Sequence, residues 1–70
     1  MSDSVKTRIA TVMAPYGREI RLDAVAYESG MNLLRVTIRE GGRYTMLELD
    51  RATAIAWAGE MLKWAGASRE

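Results

Sequence analysis

The 70-residue sequence contains no cysteine, no histidine and no phenylalanine, and only one proline. Each absence excludes a chemistry. Without cysteine there is no disulfide framework, thiol nucleophile, iron–sulfur cluster or paired-cysteine redox centre. Without histidine there is no serine–histidine–aspartate triad, no imidazole base and no histidine-bound zinc. No apolar run approaches the ~18–20 residues of a membrane span. The start, Met1-Ser2-Asp3-Ser4, is polar and acidic, unlike a secretory signal. A cytoplasmic protein without metal or cofactor is therefore expected.

An excess of one charge is also missing. Ten basic residues face nine acidic ones, for a net charge of +1, so strong electrostatic binding to nucleic acid is not implied by the totals. Eight of the ten basic residues are arginine, the side chain suited to phosphate and planar groups. Hydrophobic residues make up 49% of the chain. A chain of this length forms one domain, residues 1–70, and buries only roughly 60–65% of its unfolded surface. Domains this small usually lean on disulfides, a metal or a second chain. With disulfides excluded, a homodimer is the expected remedy.

The pattern predicts four strands and a helix. Residues 5–12 are rich in β-branched side chains and read as a strand. Ala14-Pro15-Tyr16-Gly17 suits a type I turn. Residues 18–28 alternate, with Ile20, Leu22, Ala24 and Ala26 on one face and Glu19, Arg21, Asp23, Val25 and Tyr27 on the other. Ser29-Gly30 forms a turn, and residues 32–39 form the third strand, with Leu34, Val36 and Ile38 inward. Gly41-Gly42 is a two-residue hairpin signal leading into a fourth strand at 43–49, with Leu47 and Leu49 inward. Asp50 is a good N-cap, residues 51–65 are alanine-rich and helical, and Gly66 fits the position just past the helix end. The polar residues at the far end, Ser68 to Glu70, are expected to fray. The expected fold is α+β: a four-stranded antiparallel meander followed by one C-terminal helix packed on one face.

The helix is too apolar for one sheet. Ile55, Leu62, Ala58, Ala65, Ala54 and Met61 span an arc of roughly 120° on the helical wheel. Trp57 and Trp64 widen the apolar arc to about 180°. Either the two tryptophans cap the sheet edges, or Trp57, Met61 and Trp64 dock on a partner, as exposed aromatic patches commonly do. A second copy is the simplest such partner. An unidentified protein is the alternative.

The opposite sheet face carries Lys6, Arg8, Arg21, Arg35 and Arg39 against Glu19, Asp23 and Glu48, with Tyr27, Tyr44, Val25, Leu33 and Met46 interleaved. Three readings stay open. It is a solvated face of cross-strand ion pairs, such as Arg21 beside Glu19 or Glu48. It is a sheet-to-sheet dimer contact. Or it holds single-stranded DNA or RNA, with bases on rings and guanidinium groups on phosphates. No acidic residues are spaced as a metal or acid/base motif, and Glu40-Gly41-Gly42-Arg43 lacks the pattern of a phosphate loop, so no enzyme activity is expected.

The order of elements, with the stretch Arg43-Tyr44-Thr45-Met46-Leu47-Glu48-Leu49-Asp50 running into the helix, resembles the Pur-alpha and transcriptional-coactivator type of single-strand-binding domain. There a basic fourth strand ends in leucine, an N-cap follows, and helices dimerise. Ala54 stands where that family tends to carry an aromatic. The sequence also resembles small uncharacterised proteins of GC-rich bacteria, which implies no function. The first resemblance implies nucleic-acid contacts at Arg8, Arg21, Tyr27, Arg35, Arg39 and Tyr44. The expected role is thus a small non-enzymatic binding module. It binds single-stranded nucleic acid weakly through the open sheet face, or it is a protein adaptor docking through the tryptophan-bearing helix.

Overall fold

A computed structural model of the chain describes residues 4–66. The expected fraying of Ser68 to Glu70 lies outside the described residues. Four strands, β1 (Ser4–Ala14), β2 (Arg18–Tyr27), β3 (Asn32–Glu40) and β4 (Arg43–Leu49), precede a single helix, α1 (Arg51–Ala65). Every strand pairs antiparallel with its sequence neighbour, in the order β1-β2-β3-β4. This is the ββββα meander expected from the alternation.

Residues directly opposite across an antiparallel pair share a face. Leu22 faces Val36, which faces Leu47, and Ala24 faces Leu34, which faces Leu49. One sheet face is therefore apolar from β2 to β4. The pairing of β1 shifts by one residue between Arg8, opposite Asp23, and Ala10, opposite Leu22. Ile9 is the extra residue of a β-bulge. The bulge lets Val12, opposite Ile20, share the apolar face, where unbroken alternation from Ile9 would turn it away.

The turn after β1 differs from the expected type I. Tyr16 has φ 68° and ψ 29°, and Gly17 has φ 74°. A type I turn has φ near −90° at the position of Tyr16. The three residues between the paired Ala14 and Arg18 reverse the chain through two successive left-handed positions. Only the second is a glycine.

The helix ends are as expected. Asp50 accepts a hydrogen bond from the Thr53 backbone N–H at 2.8 Å, and Gly66 closes the helix at φ 73°. The placement of the helix corrects the expectation that it packs on one sheet face. None of its residues is buried, and Leu62 is 58% exposed. Ile9, on the apolar sheet face, is also 58% exposed. Val25 and Val36 are the buried hydrophobic residues among those described. The radius of gyration is 14.0 Å, against about 11 Å for a compact chain of this length. The joint gives the physical reason. Asp50 alone separates β4 from α1, and its backbone is extended at φ −81° and ψ 175°. Reversing direction onto a sheet usually takes a connection of about 2–6 residues. One extended residue carries the helix away from the strands instead.

Candidate interaction surfaces

The polar sheet face is built by register. Arg8, Asp23, Arg35 and Glu48 form one row across all four strands. Arg8 Nε donates to Asp23 Oδ1 at 2.5 Å. Asp23 is 2% exposed, flanked by long side chains on both neighbouring strands. Glu48 Oε2 accepts from Arg35 Nη2 at 2.7 Å, Arg35 Nε at 3.0 Å and the Tyr27 hydroxyl at 2.8 Å. The Arg35 guanidinium, helped by Tyr27, holds the Glu48 carboxyl below its ordinary range, and Glu48 in turn raises Arg35.

A second row runs Met13, Glu19, Arg39 and Tyr44. Glu19 accepts from Arg39 Nη2 at 2.8 Å and from Arg21 Nε at 3.0 Å. Hydrogen bonds from Arg21 and then Arg39 lower the Glu19 carboxyl to about 2. The Arg21 guanidinium also lies 6.0 Å from the centre of the Tyr44 ring, within cation–π range.

The six residues singled out for nucleic acid therefore share one face, and all but Tyr44 are tied into its ion pairs and hydrogen bonds. Arg8, Arg21, Arg35 and Arg39 each pair with a carboxylate of that face. The Tyr27 hydroxyl is bonded to Glu48, while Tyr44 is exposed. Of the pairings foreseen for Arg21, that with Glu19 forms, and Glu48 goes to Arg35.

The second surface is apolar. Trp57, Met61 and Trp64 follow one another at four and three residues along α1, so they lie on one flank. With Glu60 and Ala65 they border an open hollow of about 510 Å³. Trp64 is 90% exposed. A separate hollow of about 530 Å³ lies where the first turn of α1 meets the apolar sheet face, walled by Ile9, Ala24, Leu34, Leu49 and Ala54. Ile9 and Val12 were not foreseen as surface features. Their exposure follows from the helix being elsewhere, which no strand pattern encodes.

Among the described residues no three acidic side chains gather closely enough to hold a metal ion, and no helix is long and apolar enough to cross a membrane. No curated protein matches the sequence. No solved structure matches it. Residues 3–67 match a family of unknown function (DUF6967).

Proposed function

We propose that this chain, which belongs to the DUF6967 family of unknown function, is a non-enzymatic docking module. It works through its apolar sheet face and the Trp57, Met61 and Trp64 flank of α1. One observation carries this reading: sheet face and helix are both left uncovered within the same chain. Contiguous exposed apolar surface of this kind marks sites of association. Docking supplies the buried core that 70 residues have not formed alone.

Two measurements on the purified chain test it together. Either the tryptophans are shielded by association, with blue-shifted emission in high and low salt alike, or the chain binds an apolar fluorescent dye. A monomer that shields its tryptophans and binds no dye has folded α1 onto its own sheet, and the docking reading is then wrong.

A second reading assigns weak single-stranded DNA or RNA binding to the arginine face. It is supported by the exposed ring of Tyr44 beside Arg21 and by the excess of five basic over three acidic groups there. The resemblance to the Pur-alpha type points the same way. The ion pairs weigh against it, because a phosphate must first displace Glu19 from Arg21 and Arg39. Titration with a single-stranded oligonucleotide at low salt separates the readings. Amide shifts confined to the arginine face and abolished by salt support it, and an unresponsive spectrum eliminates it.

A further inference from the structure

We propose that two copies of this chain exchange helices, so that α1 of each lies on the apolar sheet face of the other across a two-fold axis. This names the occupant of the docking surface and rests on the docking reading above.

The chain carries both halves of one unmade contact. Its sheet lacks a helix over Ile9, Val12 and Leu47, and its helix lacks a sheet under Leu62, Met61 and Trp57. A second copy supplies each missing half, and no third component is needed. Such a contact is self-complementary and closes on itself, as two-fold interfaces do.

The joint favours exchange over return. A single extended residue, Asp50, keeps α1 from its own strands, and short connections of this kind direct an element onto a neighbouring molecule. The dimensions also agree. A 15-residue helix is about 22 Å long, which fits within the roughly 33 Å length of the 10-residue β2.

The exposed area matches what a stable dimer needs. The chain exposes 5461 Å². A compact chain of its 7.8 kDa mass is expected to expose about 4,400 Å². The excess is about 1,100 Å² per chain and about 2,200 Å² for a pair, within the range of obligate homodimers. The hollow between Ala54 and Ile9 is continuous with this face and receives one end of the incoming helix.

The cysteine-free sequence makes the test direct. Two variants, Ala58→Cys on α1 and Leu47→Cys on the apolar sheet face, are unfolded, mixed, refolded and treated with a short thiol cross-linker. Exchange predicts covalent pairs in the mixture exceeding those in either variant alone by about tenfold, since contact raises the effective concentration of the thiols. Cross-links confined to the Ala58→Cys sample mean a helix-to-helix dimer, which overturns exchange and leaves the docking reading standing. Intrachain closure in the Ala58→Cys, Leu47→Cys double variant means that the helix covers its own sheet, which overturns both. Sedimentation of the unsubstituted chain gives a check independent of the variants. Twice 7.8 kDa at micromolar concentration is expected. A 7.8 kDa species that binds apolar dye overturns exchange alone.

Discussion

Glu19 of β2 sits directly across from Arg39 of β3, and its Oε1 accepts two hydrogen bonds from that guanidinium, at 2.8 and 3.1 Å. Arg21, two residues along the same strand, binds the other oxygen. The carboxyl is thereby lowered from 4.5 to about 2. A group with a depressed folded pKa contributes stability that is present above its unfolded value and lost as pH falls through its folded one. The contribution of Glu19 is thus complete above about 4.5 and disappears toward about 2. Chemical denaturation across that window shows a falling midpoint in the natural sequence. The slope flattens in Glu19→Gln, and an unchanged slope excludes this pair as its source.

The Arg8–Asp23 pair is asymmetric, and so are its variants. Asp23 is buried while Arg8 is about half exposed. Asp23→Asn leaves an arginine that water can still reach, at a cost of about 1–3 kcal/mol. Arg8→Met strands a covered carboxylate and costs more, about 3–5 kcal/mol. Urea unfolding of both variants checks the order, and equal losses would contradict it.

Tyr16 holds a left-handed backbone at the hairpin tip with its side chain 91% exposed. That conformation costs a residue bearing a Cβ roughly 1–2 kcal/mol. The ring returns part of this by lying 5.7 Å from the Arg18 guanidinium carbon. Tyr16→Gly is expected to raise stability by about 0.5–1 kcal/mol, after the greater unfolded-state freedom of glycine is counted. Thermal unfolding reads the sign.

If copies exchange helices, lengthening the joint between Leu49 and Asp50 undoes the exchange. An insertion of about four glycine and serine residues leaves the cap on Thr53 in place and gives the helix enough chain to turn back. Sedimentation of this variant at the mass of one chain, with blue-shifted tryptophan emission, is the expected outcome. A persistent dimer would show that the joint does not direct the helix.

Much of the fold is legible in the sequence because it is local. The alternation from Ile20 to Ala26 and from Leu34 to Ile38 assigns both faces correctly, and Asp50 and Gly66 bound the helix as expected. The helical wheel shows that α1 is apolar around Ile55 and Leu62, but it contains nothing about which sheet that side meets. The same gap hides the bulge at Ile9, since each side of it alternates normally. On the arginine face, composition gives a positive excess. Only register shows that Arg35 meets Glu48 and that Glu19 serves two guanidinium groups.

The meander order has a kinetic consequence. Each strand closes onto its immediate predecessor, with unpaired connections no longer than the stretch between Ala26 and Asn32. Zipping the sheet therefore needs only short loop closures, which are fast and indifferent to dilution. On the exchange proposal, the cover over Ile9, Val12 and Leu47 comes from a second chain, outside this sequence of closures. Refolding should accordingly split into a rapid phase that ignores protein concentration and a later one that follows it, with the tryptophans reporting the second.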